Sequence, residues 1–162
     1  MSRRKTRGSD SRRFRDWIMR AYTDIRAARM LSTDEACYLA CAFHCQQCIE
    51  KAIKGFLLME TGNLYDGHNL TWLCKKACAY DGAFTEFLDE SVFLNSFYIS
   101  TRYPTDVPFV LTRSQIEKAV AMATDMYNFI LDTIFDEDDE DKTPRVLGIA
   151  IKPELTSLHR AP

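Results

Sequence analysis

One long helical stripe, over about residues 34–60, constrains this fold more than any other feature. Cys37, Cys41, Cys45 and Cys48 recur at spacings of 4, 4 and 3, and Tyr38, Ala42, Ile49, Ala52 and Phe56 fall beside them. Residues three and four apart share one face of an α-helix, so the stretch predicts an amphipathic helix with a cysteine-lined inner side. Ser32, Thr33 and Asp34 can cap its start, Glu35 suits its first turn, and Gly62 suits its end.

The same spacing recurs along the chain. Trp17, Ile18, Ala21, Tyr22, Ile25, Ala28 and Met30 or Leu31 mark a first helix. A third begins at His68 or Asn69, carries Leu70, Leu73, Ala77 and Tyr80 inward, and breaks at Asp81-Gly82. Phe84, Phe87, Leu88, Val92, Phe93 and Phe97 give a fourth. RYPTDVP cannot continue it, because each proline disfavours helical geometry in the residue before it. Thr112 or Ser114 opens a fifth helix, with Ile116, Ala119, Val120, Ala123, Met126, Tyr127, Ile130 and Ile134 inward. Only VLGIAI at 146–151 hints at a strand. The expectation is an all-α, up-and-down bundle of four to five helices.

The 162 residues suit one domain. A chain near that size buries roughly 68–70% of its unfolded surface, so neither metal nor disulfide is required for stability. We expect a disordered basic arm over 1–13, a helical domain over 14–135, and an acidic linker and tail over 136–162. The formal net charge of -2 exerts no global pull on nucleic acid, but its distribution is uneven. The first twenty residues hold eight Arg or Lys against Asp10 and Asp16, whereas 136–141 reads DEDDED. No apolar run is long enough to span a membrane, and the basic start lacks the apolar segment of a signal peptide. The expected location is the cytoplasm, where six cysteines are thiols or metal ligands rather than a disulfide framework.

Cys45-x-x-Cys48 has a spacing that zinc accepts, and Cys74 with Cys78 could supply a second pair. Zinc pairs, however, usually come from turns, and redox pairs sit at helix starts where the dipole lowers a thiol pKa. This pair falls mid-helix, and His44 lies off the stripe. Cysteine as a small buried hydrophobe is the favoured reading, with no cofactor and no metal expected.

Gln47, Glu50, Lys51 and Lys54 recur at i, i+3, i+4 and i+7 on another face. Glu50 and Lys54 can pair for a few tenths of a kcal/mol. By spacing alone this is a solvated face.

The string FHCQQCIEKAIKGFLL, then GHNLTWLC, then YISTRYPTD, resembles the HEPN family (higher eukaryotes and prokaryotes nucleotide-binding domains). Gln46, Gln47, Glu50, Lys51 and Lys54 stand in that family's second-helix motif, with Cys45 and Cys48 where alanine is common. His68 before Leu70, and Arg102-Tyr103-Pro104, complete the pattern over 14–135. The resemblance implies a helical bundle, a homodimer, and binding of nucleotides or RNA, in some members beside a nucleotidyltransferase in toxin–antitoxin-like pairs.

The family's metal-independent ribonucleases use an arginine followed four to six residues later by histidine. Arginine would hold a phosphate bidentately and histidine would move the proton. No arginine here has a histidine at that distance, and the three histidines are His44, His68 and His159. The reading therefore leans away from an enzyme, toward a non-catalytic module binding a nucleotide or RNA through a Lys/Arg groove. Its expected ligand contacts are Gln47, Glu50, Lys51, Lys54, His68, Arg102 and Tyr103. For Arg102 a salt bridge to Glu50 is the structural alternative, and for His68 a local bond at the helix start. Two other functions stay open: a protein–protein interaction module with a structural groove, and a ribonuclease with an atypical acid–base pair.

Overall fold

A computed structural model describes residues 10–135. Most of the expected basic arm, the acidic run at 136–141 and the tail with VLGIAI lie outside the described residues. Those described form six α-helices: α1 (Phe14–Leu31), α2 (Tyr38–Thr61), α3 (Leu70–Cys78), α4 (Leu88–Asn95), the single turn α5 (Phe97–Ser100) and α6 (Arg113–Ile134). Short 3-10 turns over Glu35–Cys37 and Gly82–Phe87 join them, and no strand occurs among the described residues. The expected all-α bundle is what the chain forms.

The central helix is α2, packed most extensively on α1 and next on α6. α1 and α2 are antiparallel, since Cys41 Sγ reaches Ala28 O at 3.2 Å while Gly55 meets Ile18 and Phe14. A Cβ on Gly55 would lie 3.0 Å from Ile18 Cδ1, so glycine permits this close crossing in mid-helix. Beyond the helix the chain turns at Gly62, whose φ of 70° suits a residue without a Cβ. The following loop carries His68 back to the middle of α2. α4 then returns beside α3, where the Leu70 N–H donates to Asn95 Oδ1 at 2.8 Å.

Ile18, Ile49, Ile53, Leu57, Leu70, Leu73, Ile116, Met126 and Ile130 fill the core. Phe84 closes one end against Phe56 and Phe129, at ring separations of 4.7 and 5.0 Å. Cys41, Cys45, Cys48 and Cys74 are fully buried, as expected of cysteine used as a small hydrophobe. Burial pushes the Cys48 thiol well up and the Cys74 thiol up to about 12. Cys37 and Cys78 are only half-buried.

Local chemistry explains where the elements depart from simple periodicity. Asp34 caps a 3-10 turn by accepting from the Ala36 N–H at 3.0 Å, so α2 begins later than expected. Thr112 and Gln115 form a capping box at the start of α6, an arrangement typically worth about 1 kcal/mol. The expected fourth helix is divided instead. Ser91 and Ser96 hydroxyls bond back to Leu88 O and Phe93 O, both at 2.6 Å, competing with the helical ladder. Val92 is exposed, as is Tyr80, which falls beyond the end of α3 at Cys78. Met30, near the end of α1, also faces outward.

Candidate functional site

The polar face of α2 is not solvated. Glu50 is 4% exposed, Lys54 6% and Gln47 9%. Burying these groups without partners would cost several kcal/mol, and the neighbouring sequence supplies the partners. One turn on, Lys54 Nζ donates to Glu50 Oε1 at 3.0 Å, as the i,i+4 spacing predicts. Gln46 Nε2 and Gln47 Nε2 donate to Glu50 Oε2 at 3.0 and 3.3 Å. His68 Nδ1 lies 2.8 Å from Glu50 Oε1, so its bond crosses to α2 rather than staying local to its own helix start. Asn69 is the residue that caps α3, accepting from the Trp72 N–H at 2.9 Å.

Burial by itself would raise the Glu50 carboxyl. The Lys54 charge and hydrogen bonds from His68, Gln46 and Lys54 together outweigh it and hold the carboxyl below its usual range. Lys54 also lies over the Trp17 ring, 5.9 Å from its centroid. Beside this cluster is a second buried carboxylate, Asp24 of α1, which binds Lys51 Nζ and sits 2.8 Å from His44 Nδ1. Lys51 and Lys54 therefore both enter the fold already paired.

Arg102 is placed differently. It does not pair with Glu50, whose oxygens are taken by the four partners above. Its guanidinium lies 4.4 Å from the Tyr98 centroid and 5.4 Å from that of Phe43, and Nη1 donates to the Tyr98 hydroxyl at 3.2 Å. No carboxylate pairs with it among the described residues. The two regions share a wall, because the His68 ring stacks on Tyr98 at 5.0 Å and 15°. Half of the His68 side chain is exposed. Tyr103 beside Arg102 is 67% exposed.

The fold thus brings Gln47, Glu50, Lys54 and His68 into one hydrogen-bonded cluster. It holds Lys51 on the α1 side and Arg102 on the far side of the His68–Tyr98 stack. Sequence reasoning missed Phe43, Asp24, His44 and Tyr98 as members of this surface. Two signals were available: Asp24 is a carboxylate on the apolar face of α1, and Tyr98 stands four residues before Arg102. No group of three or more His, Cys, Asp or Glu able to hold a metal occurs among the described residues. No helix among them is long and apolar enough to cross a membrane.

The arrangement has relatives. A family profile for the HEPN domain matches residues 14–134. The chain belongs to the HEPN domain family. Among similar solved structures, TT1696 from Thermus thermophilus is 28% identical with a TM-score of 0.65, covering 74% of this chain and 97% of its own. ST0689, an archaeal HEPN homologue, is 26% identical with a TM-score of 0.61, covering 76% of this chain and 98% of its own. Comparison with curated protein sequences gives no significant match. The stretch shared with the HEPN profile runs from the start of α1 to the end of α6 and contains both the Glu50 cluster and Arg102.

Proposed function

We propose that this chain is a non-catalytic HEPN module that binds a nucleotide or RNA at the surface beside the His68–Tyr98 stack, with Arg102 as the principal contact. The carrying observation is the contrast in charge compensation. Lys51 and Lys54 face carboxylates, whereas Arg102 is exposed, held by aromatic rings, and without a carboxylate partner among the described residues. A guanidinium held in this way keeps donors for a phosphate, which it can grip bidentately. His68 and Tyr103 flank it as further contacts, and Tyr103 offers a ring on which a base could stack. Lys51 lends a rim cation. Glu50, Gln47 and Lys54 hold the wall on which His68 and Tyr98 stand.

A homodimer accords with the exposed apolar residues that follow Arg102. Tyr103, Val107, Phe109 and Val110 are all exposed within one loop that contains Pro104 and Pro108. Association with a nucleotidyltransferase belongs to the same reading, by family resemblance. The test is thermal unfolding of EDTA-treated protein with ATP, GTP, their monophosphates and a short single-stranded RNA. A ligand present at 100 times its dissociation constant adds about 2.7 kcal/mol, a rise of several degrees. One ligand raising the midpoint supports the reading. Unchanged midpoints with all of them would leave the interaction-module reading, with a purely structural groove.

A further inference from the structure

The Arg102 surface continues past the His68–Tyr98 stack onto α3. His68 is preceded by Gly67, whose φ of 118° suits a residue without a Cβ. A Cβ on that glycine would lie 3.7 Å from Trp72 Cζ3, so the backbone beside His68 sits against the Trp72 ring. Tyr65 meets the same ring edge-on at 5.9 Å, and Tyr80 stands near Tyr65. Trp72 is 39% exposed and Tyr80 51%.

The core takes Leu70, Leu73, Cys74 and Ala77 from α3, which leaves Trp72, Lys75 and Lys76 outside it. Lys76 Nζ lies over the Trp72 ring, 5.6 Å from its centroid. No carboxylate pairs with Lys75 or Lys76 among the described residues. Glu60 places an opposing charge near Tyr80, at the end of the patch away from His68. Arg102, His68, Trp72 and Lys76 thus follow one another as a chain of rings and cations.

We infer that the Trp72 face of α3 is a stacking subsite for a single-stranded oligonucleotide that continues from Arg102 across His68. The inference rests on the nucleotide-or-RNA reading and narrows it to a strand. Every base has a π-face, so an unpaired base can stack on Trp72 in place of Lys76, whose ammonium then meets a phosphate beside Lys75. A duplex keeps its bases stacked on one another and offers no such face. Leu70 to Lys76 is six helical rises, about 9 Å, with Arg102 further off beyond the His68–Tyr98 stack. A nucleoside monophosphate cannot reach both ends, whereas successive nucleotides of a strand can.

The test titrates the full chain with AMP and with a labelled adenine oligonucleotide of about eight nucleotides, within the usual range for single-strand grooves. The oligonucleotide is offered as RNA and as DNA, which share this chemistry; binding of either supports the inference, and the tighter one names the source. In a Trp17→Phe background Trp72 is the sole tryptophan, and its emission should be quenched by the oligonucleotide but not by AMP. Trp72→Ala should weaken the oligonucleotide about tenfold or more and leave AMP binding unchanged. Lys75→Gln with Lys76→Gln should flatten the slope of log affinity against log salt by about 0.7 for each lysine. Those two lysines are exposed and close the last turn of α3, so melting is recorded for every variant. An oligonucleotide bound no more tightly than AMP, or bound without quenching and indifferent to these variants, would overturn the subsite and leave the Arg102 reading standing. Quenching and weakening by Trp72→Ala in a chain indifferent to Arg102→Ala would uphold the subsite and sink Arg102 as principal contact.

Discussion

Glu50 and Arg102 stand on opposite sides of the His68–Tyr98 stack and treat charge in opposite ways. Glu50 is buried and bound by Gln46, Gln47, Lys54 and His68. Arg102 is exposed, and its partners are one phenol and two ring faces. In a low-dielectric interior every charge must be compensated within the fold, or the fold loses stability. Outside, a cation held by aromatic rings is positioned without being neutralised. The Glu50 cluster therefore holds the wall in place, and Arg102 is left able to meet an anion.

The most severe way to break this comparison is Glu50→Ala, which leaves Lys54 buried without a counter-charge. Losing one member of a buried pair costs about 3–5 kcal/mol, so the melting midpoint should fall by more than about ten degrees. A drop of only a degree or two would mean that the cluster is far wetter than its burial indicates. The same carboxylate gives the protein an acid limit. Because Glu50 is held below its usual range in the folded chain, it favours folding above its unfolded-state value, and that contribution is lost as pH falls toward the folded one. Between about pH 6 and pH 3, midpoints should decline more steeply for the native chain than for Glu50→Gln. Parallel declines would contradict the assignment.

Arg102→Ala should be milder toward stability. It forfeits exposed cation–π contacts of about 0.5–1 kcal/mol, a few degrees at most, while ligand affinity falls at least tenfold. Arg102→Lys should restore little of that affinity, since a point charge lacks the planar fork and the stacking face. The smallest effect is expected at Tyr127, whose buried hydroxyl has no hydrogen-bond partner among the described residues and whose burial pushes its pKa up. Tyr127→Phe removes that unsatisfied group and should leave the midpoint unchanged or slightly raised by calorimetry. A clear fall would point to a bound water at that hydroxyl.

Much of this was legible in the sequence. The helical period found α1, α2, α3 and α6, and the cysteine stripe was readable as core because Cys41, Cys45 and Cys48 lie among Ile49, Ala52 and Phe56. The i, i+3, i+4, i+7 spacing placed Gln47, Glu50, Lys51 and Lys54 on one face but could not say that this face is buried. That depends on Trp17, Asp24 and His68 arriving from other elements, which is tertiary information. The fate of Arg102 was hidden for the same reason. Whether it would meet Glu50 turned on how many partners Glu50 already had. The division of the expected fourth helix rests on serine hydroxyls that compete with the backbone, a local effect that hydrophobic period does not register.

The most direct measurement is fluorescence anisotropy of a labelled short single-stranded RNA, titrated with the native chain and with Arg102→Ala at low and moderate salt. Melting of both proteins is recorded in the same buffers. The account predicts salt-sensitive binding by the native chain and at least tenfold weaker binding by a variant that still melts within a few degrees of it. Equal affinity for RNA in the two proteins would contradict the account, leaving Arg102 a structural residue and the groove without its principal contact.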